Sequence, residues 1–110
     1  MAKRGRAARA KGLNFEREIA RRFVEAGFPR ARRQLENHAA DANGVDLQGT
    51  GDYRVQCKKT AKYVPINTIT EVQCTREFGE IPVLIAAGDN QEALVVIPLD
   101  DFFKLIKDRY

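Results

Sequence analysis

Residues of the kinds that act together in phosphodiester hydrolysis lie close to one another in this sequence. Nine residues separate Gly44-Val45-Asp46 from Gln56-Cys57-Lys58. Because side chains alternate between the two faces of a strand, the amide and the lysine should share one face and the cysteine should point to the other. A hairpin through residues 49–52 would fold the acid back towards them. The spacing suits a metal-dependent hydrolytic site, and the alternative is a β-hairpin with polar residues facing solvent.

These side chains would divide the chemistry among them. Asp46 would bind a divalent cation, and the amide oxygen of Gln56 and the backbone carbonyl of Cys57 would complete the protein ligands. Mg²⁺ prefers oxygen ligands and retains several waters, so it is the expected ion, and Mn²⁺ is expected to substitute. Lys58 would orient or deprotonate the attacking water, or stabilise charge in the transition state. The alternative for Lys58 is a solvated strand lysine.

The first predicted helix supplies a second carboxylate. We predict this helix from about Asn14, a good N-cap, to Ala26, with Gly27 ending it. At 3.6 residues per turn, Glu16 falls inside the apolar side of the helix. A carboxylate at the edge of a buried face costs free energy unless a metal ion or a salt bridge compensates it. Glu16 is therefore a candidate metal ligand, or alternatively a rim carboxylate paired with a nearby arginine.

The remaining segments predict a mixed sheet with helices packed on it, an α/β fold. A second helix should begin at Asn67 or Thr68 and end at Phe78-Gly79, and a last helix should be capped by Asp100 or Asp101. The predicted order of elements is α-β-β-β-α-β-β-α. Strands are expected at residues 30–35, 45–48, 53–59, 82–87 and 93–97.

Charge is distributed unevenly along the 110 residues. Residues 1–33 hold eleven Lys and Arg against three acids, a net charge of +8, whereas residues 34–110 hold eight against twelve, a net charge of −4. Such a basic segment favours a polyanion partner bound through counterion release, and a solubilising tail is the alternative. We expect residues 1–12 to be a flexible basic arm and residues 13–110 to be a single domain.

Composition excludes several other classes of protein. No apolar stretch approaches the roughly 20 residues of a membrane span, and the basic N-terminus has no apolar segment behind it, so a cytoplasmic protein with reduced thiols is expected. Two cysteines and one histidine, His38, are too few for a disulfide framework or a histidine-rich metal centre. Cys57 and Cys74 are interpreted as core residues, and His38 as a surface or DNA-contacting residue. No glycine-rich phosphate-binding motif is present, so use of ATP is not expected.

Taken together, these segments resemble the archaeal-type Holliday junction resolvases, within the PD-(D/E)xK nuclease superfamily. Such resolvases occur in archaea and in viruses. The resemblance covers nearly the whole chain from Lys11 onwards. It rests on Lys11-Gly12-x-x-Phe15-Glu16-Arg17-Glu18, Gly27-Phe28 with Arg32 after it, Gly44-Val45-Asp46-Leu47, Gln56-Cys57-Lys58 and Phe78-Gly79-x-Ile81-Pro82-Val83-Leu84.

The resemblance implies a restriction-endonuclease-like sheet flanked by helices, and a homodimer that binds four-way or branched DNA in recombination and repair. It implies that two strands are cut symmetrically with Mg²⁺, and two sites at a fixed separation suit a two-fold-symmetric junction. The dimer interface is expected to use apolar surface from the later strands or helices. The implied catalytic residues are Glu16, Asp46, Gln56 and Lys58. Basic residues expected to contact DNA are Lys3, Arg4, Arg6, Arg9, Lys11, Arg17, Arg32, Arg33 and Lys59.

The sequence departs from the family pattern at three places. The family usually has glutamate at Gln56, so weaker metal binding is expected, and Asp41 or Asp52 is a candidate source of the missing charge. Val45 replaces the proline of the superfamily name, and the loop of residues 36–43 is longer and lacks a serine-containing segment. Two alternatives stay open: another nuclease of the superfamily that acts on linear or flapped DNA, and a non-catalytic DNA-binding module with a decayed site.

Overall fold

The computed structural model describes the backbone of residues 2–34, 45–60 and 76–109, and the side chains of these residues except 2–6 and 8. Within these ranges the protein is a mixed α/β fold, in agreement with the predicted class. Residues 67–75 of the predicted second helix and the loop of residues 36–43 lie outside them. The elements are α1 (Ala2–Glu25), β1 (Arg32–Arg33), β2 (Leu47–Gln48), β3 (Tyr53–Thr60), β4 (Ile81–Gly88), β5 (Leu94–Val96) and α2 (Leu99–Arg109).

A mixed three-stranded sheet forms the centre of the described structure. Its order is β3-β4-β5, with β3 parallel and β5 antiparallel to β4. Every residue of β4 is buried, as expected for an uninterrupted apolar strand with neighbours on both sides and cover on both faces. β1 and β2 form a separate antiparallel pair, in which Arg32 lies opposite Gln48, so β2 pairs with β1 and does not form the predicted hairpin with β3.

Helix α1 covers one face of this sheet. Its residues Phe15, Ile19 and Ala20 are buried against Val55 and Cys57 of β3 and against the odd-numbered residues of β4. Even-numbered residues of β4 point to the other face, where Leu84 and Ala86 pack with Val96 of β5. The alternation predicted for β3 is therefore present: Cys57 faces α1, and Gln56 and Lys58 face away from it.

Helix α1 begins at Ala2 and not at Asn14, so the predicted start of the helix is wrong. Residues 2–11 consist mainly of Ala, Lys and Arg, which rank among the better helix formers, and their lack of bulky apolar residues does not prevent a helix. The flexibility of residues 1–12 stays a prediction. The predicted end of the helix is correct within two residues. The helix ends there because Gly27 has φ 115° and the Phe28 N–H donates to the Phe23 carbonyl at 2.9 Å, which caps the last turn.

The segment before β4 is a turn, where the sequence predicted the end of a helix. Glu80 N–H donates to the Glu77 carbonyl at 3.0 Å, and the Glu80 carboxylate accepts a hydrogen bond from the Glu77 N–H at 2.6 Å. These two bonds close the chain on itself and leave Phe78 fully exposed. The connection from β4 to β5 is the tight one predicted, with Asn90 at φ 57°.

Candidate active site

Asp46 is fixed at the open edge of β3 by three hydrogen bonds. Its N–H donates to the Val55 carbonyl at 2.8 Å, and its own carbonyl accepts from the Gln34 N–H at 2.8 Å. Its carboxylate accepts from the Cys57 N–H at 2.7 Å. The turn between β2 and β3 therefore reverses the chain so that Asp46, the residue directly before β2, lies beside β3. The hydrogen bonds of Asp46 to Val55 and Cys57 connect the two segments.

The turn that returns the chain is held by its own residues. The buried Thr50 hydroxyl donates to the Tyr53 carbonyl at 2.7 Å, and the Tyr53 N–H donates to the Thr50 carbonyl at 3.2 Å. Gly49 and Gly51 have φ 74° and φ 62°, a conformation that residues with a Cβ rarely adopt. The Gly-Thr-Gly sequence thus positions Asp46, and the role of Thr50 was not identified from the sequence.

The environment of Asp46 favours its neutral form. Its pKa is raised to about 6, mainly because burial withdraws water from the carboxylate. The hydrogen bond from Cys57 opposes this shift, the negative charge of Glu16 adds to it, and the positive charges of Lys58 and Arg33 oppose it. The charges of Glu16, Lys58 and Arg33 therefore all act on this one carboxylate.

Glu16 reaches the site from α1 and is paired with Arg33. The Nε of Arg33 donates to a Glu16 carboxylate oxygen at 2.9 Å, and both side chains are largely buried. The salt bridge that the sequence offered as an alternative is therefore present. It does not exclude a metal ligand, because the carboxylate has a second oxygen and several lone pairs left.

Cys57 is a structural residue whose backbone faces the site. Burial, followed by the negative charges of Asp46 and Glu16, raises the pKa of its thiol well above the usual value, so the group is a neutral core side chain and not a nucleophile. In a strand the N–H and C=O of one residue point to the same side. Since the Cys57 N–H points at Asp46, its carbonyl faces the same open edge.

Gln56 contributes an unsatisfied oxygen. The residue is only 5% exposed, and its side-chain oxygen is buried with no hydrogen-bond partner among the described residues. A buried amide oxygen without a partner costs free energy, so such an atom calls for an explanation. Lys58, two residues on and on the same face of β3, is exposed, and its charge acts on Asp46.

These donors fit a hard divalent cation. The available oxygens are two carboxylates, Glu16 and Asp46, the orphaned amide oxygen of Gln56 and the carbonyl of Cys57, which is the oxygen-only set that Mg²⁺ prefers. Within the described ranges no group of three or more His, Cys, Asp or Glu side chains is placed to hold a metal. A metal here would depend on the amide and backbone oxygens for the rest of its protein ligands.

The residues predicted to contact DNA differ in their exposure to solvent and in the contacts that they already make within the protein. Arg9 and Arg17 are exposed, and Arg32 is exposed with its Nε bonded to the Gln48 amide oxygen at 3.0 Å. Lys11 is paired with Asp89 at 3.0 Å, and the half-buried Lys59 lies over the Phe15 ring at 5.8 Å.

Several candidates cannot be placed in this site. Asp52 is exposed in the turn between β2 and β3. His38, Asp41 and Cys74, and the side chains of Lys3, Arg4 and Arg6, lie outside the described residues.

Comparisons with models of protein families, with curated proteins and with solved structures find no match to this chain. Neither α1 nor α2, the helices of the described ranges, combines the length and the apolar character needed to span a bilayer.

Proposed function

We propose that this protein is a metal-dependent DNA endonuclease that resolves Holliday junctions by paired nicks. The observation that carries the proposal is the setting of Asp46: its partly buried carboxylate accepts a hydrogen bond from the Cys57 N–H at 2.7 Å, and the charges of Glu16 and Lys58 act on it. The proposal includes the restriction-endonuclease-like order α-β-β-β-α-β-β-α. The choice of four-way junctions as substrate is supported by the resemblance of the motifs.

Each residue has a role in this proposal. Glu16, Asp46, the Gln56 amide oxygen and the Cys57 carbonyl would hold Mg²⁺. When bound, the ion supplies a water of lowered pKa and positive charge at the phosphate. Asp46, whose pKa is raised by burial, would gain a cation that compensates its charge. The unsatisfied oxygen of Gln56 would gain a partner.

Lys58 is the residue placed to act on the substrate. It is exposed, shares the Gln56 face of β3 and has no described ion-pair partner, so its ammonium is free to meet a phosphate oxygen. A fixed positive charge beside the scissile phosphate stabilises the negative charge that develops in the transition state. Lys58 and Arg33 also offset the charges of Asp46 and Glu16, so the site does not repel an anionic substrate.

The test is cleavage of a labelled immobile four-way junction and a matching linear duplex, with Mg²⁺ or with EDTA. We expect Mg²⁺-dependent paired nicks in the junction alone. Lys58→Ala and Asp46→Ala should each lower the cleavage rate by about a hundredfold or more. Asp52→Ala, which removes an exposed acid from the turn between β2 and β3, is the matched control and should cut like the unaltered protein.

Each other result assigns a different function. Equal cutting of the linear duplex would make the protein a general nuclease of the same superfamily. Tight junction binding without cleavage would make it a non-catalytic DNA-binding module in which Gln56 has disabled the metal site. Cleavage at the normal rate by both Lys58→Ala and Asp46→Ala would show that the site described here is not the catalytic one.

A further inference from the structure

The salt bridge between Glu16 and Arg33 joins helix α1 to strand β1 directly beside Asp46. The Arg33 Nε donates to a Glu16 carboxylate oxygen at 2.9 Å, and the Arg33 and Glu16 side chains are only 25% and 19% exposed. Arg33 lies opposite Leu47 in the β1–β2 pair, and the following N–H, that of Gln34, donates to the Asp46 carbonyl at 2.8 Å. The strand pairing therefore fixes Arg33 beside the residue that carries the other carboxylate of the site.

This pair differs from a second arginine–glutamate pair of the same helix. Arg21 and Glu25 lie at i and i+4 on α1 and are 64% and 61% exposed, so water and salt screen their charges. The pair of Glu16 and Arg33 is largely withdrawn from water, where charges act on one another more strongly. The Arg33 charge also reaches Asp46, and there it opposes the effect of Glu16.

Arg33 supplies positive charge where a bound metal ion would supply it. Glu16 and Asp46 are like charges that act on each other in a partly buried site, and a cation nearby lowers the cost of keeping both ionised. In the metal-free protein Arg33 is such a cation. Because like charges repel, Arg33 and a divalent cation on the same two carboxylates each weaken the binding of the other.

We propose that Arg33 competes with the metal ion for Glu16: it holds Glu16 in the metal-free protein and is released from it to a DNA phosphate when the site is loaded. A guanidinium suits both partners, because its N–H groups match the oxygens of a carboxylate and of a phosphate alike. The exchange links the binding of metal to the binding of DNA, and such a link acts equally in both directions. The proposal deepens the proposed function and rests on it for the metal and the DNA.

Titration of the whole protein with Mn²⁺ in the absence of DNA tests the competition, with free Mn²⁺ measured by electron paramagnetic resonance. We expect Arg33→Gln to bind Mn²⁺ about tenfold more tightly than the unaltered protein, and Arg33→Lys, which keeps the charge, to stay within about twofold of it. Arg21→Gln, which removes the arginine of the exposed pair, is the matched control and should leave the affinity unchanged. The gain should vanish when Asp46→Asn is added to Arg33→Gln, which would assign the bound ion to this site.

The sign of the change in Mn²⁺ affinity decides the role of Arg33. If Arg33 only orients Glu16 as a ligand, Arg33→Gln should bind Mn²⁺ more weakly than the unaltered protein, and that result would overturn the proposal. An unchanged affinity would overturn it as well, because it would show that the two cations do not compete. Circular dichroism checks that each variant is folded.

The salt dependence of junction binding in EDTA tests the release of Arg33 to DNA without any metal. Glu16→Gln removes the carboxylate that holds Arg33, so we expect the slope of log K against log salt to become steeper by about 0.9, the value for one added phosphate contact. Glu16→Gln with Arg33→Gln should return the slope to that of the unaltered protein. A slope that Glu16→Gln leaves unchanged would overturn the release to DNA. This comparison does not require Arg33→Gln alone to fold.

The outcome is separate from that of the cleavage test. Junction cleavage by a protein whose Mn²⁺ affinity is unaffected by Arg33→Gln would refute the competition and keep the nuclease. Competition in a protein that cuts no DNA would keep this role of Arg33 and refute the proposed nuclease. Absence of Mn²⁺ binding in the unaltered protein and in every variant would refute both.

Discussion

The ionised carboxylate of Asp46 lowers the free energy of unfolding of the protein at neutral pH. Burial and the neighbouring Glu16 raise its pKa to about 6, so ionising it at neutral pH costs more in the folded protein than in the unfolded chain. A bound cation would recover the cost, which is why the free protein and the loaded protein should respond differently to the loss of this carboxylate.

The variant Asp46→Asn should therefore be more stable than the unaltered protein at pH 8 in EDTA. Between the ordinary pKa of 3.8 and the raised value of about 6, the folded protein binds more protons than the unfolded chain. The free energy of unfolding consequently falls as the pH rises through this window, and it stays lower above it. Asparagine carries no charge and keeps an oxygen for the Cys57 N–H, so we expect a gain of about 1–3 kcal/mol, measured by urea denaturation.

The same measurement at pH 4 and with Mg²⁺ completes the test. The advantage of Asp46→Asn should vanish near pH 4, where Asp46 is protonated in the folded protein. Added Mg²⁺ should stabilise the unaltered protein and not the variant. Asp52→Asn, which alters an exposed acid in the turn between β2 and β3, should show neither effect. A stability difference that is the same at pH 4 and pH 8 would contradict the assignment of the raised pKa.

The position of a side chain was predictable from the sequence where it depends on the geometry of a single helix or strand. The alternation of β3 placed Gln56 and Lys58 on one face and Cys57 on the other, and the helical repeat placed Glu16 at the rim of the buried side of α1. The identity of Arg33 as the partner of Glu16 was not predictable. That pair depends on how β1 lies against α1, and local patterns carry no information on such a contact.

At the scale of elements, the turn between β2 and β3 positions the site, and Gly49 is its critical residue. Gly49 has φ 74°, and a Cβ built on it would overlap the carbonyl oxygen of Arg30. The substitution Gly49→Ala therefore meets both backbone strain and a clash with main chain that has no flexible end to move. We expect a loss of about 2–4 kcal/mol in the free energy of unfolding, measured by urea denaturation.

Gly27→Ala provides the matched control for this prediction. Gly27 also has a positive φ, 115°, but nothing among the described residues lies within 4 Å of a Cβ built there. This variant should lose only the cost of backbone strain, about 1 kcal/mol. Equal losses in the two variants would show that the approach of Gly49 to Arg30 contributes nothing to stability.

The elements themselves were predictable where the pattern is strong. β3 and β4 were predictable because an alternation of apolar and polar residues and a continuous apolar run are both typical of strands. The predicted start of α1 was wrong because the prediction relied on the spacing of apolar residues. Ala, Lys and Arg form a helix without such spacing, through their intrinsic propensity. Within the described ranges β1 is two residues long and pairs with the equally short β2.

For the whole molecule, the uneven charge should govern the DNA binding that we propose. Residues 1–33 carry a net charge of +8, and most of these residues belong to α1. The same helix provides Glu16 to the candidate site. Binding of DNA by this surface should weaken as salt is added, because each phosphate contact releases counterions. The basic residues differ in their contribution, since some are already paired within the protein.

Arg17→Ala should reduce the steepness of this salt dependence, and Arg21→Ala should not. Both residues lie on α1, but Arg21 is paired with Glu25 at 2.8 Å, whereas Arg17 is exposed with no ion pair among the described residues. Loss of one phosphate contact lowers the slope of log K against log salt by about 0.9. The slope is measured by titration of a four-way junction in EDTA, which prevents cleavage.

The slope of log K against log salt distinguishes binding at a defined surface of the protein from a general attraction between opposite charges. If DNA met only the average charge of the protein, Arg17→Ala and Arg21→Ala would lower affinity alike, because each removes one positive charge from the same helix. If Arg17 contacts a phosphate while Arg21 stays paired with Glu25, only Arg17→Ala lowers the slope. The DNA would then contact α1, the helix that also carries Glu16. Equal slopes for the two variants would place the DNA on another surface.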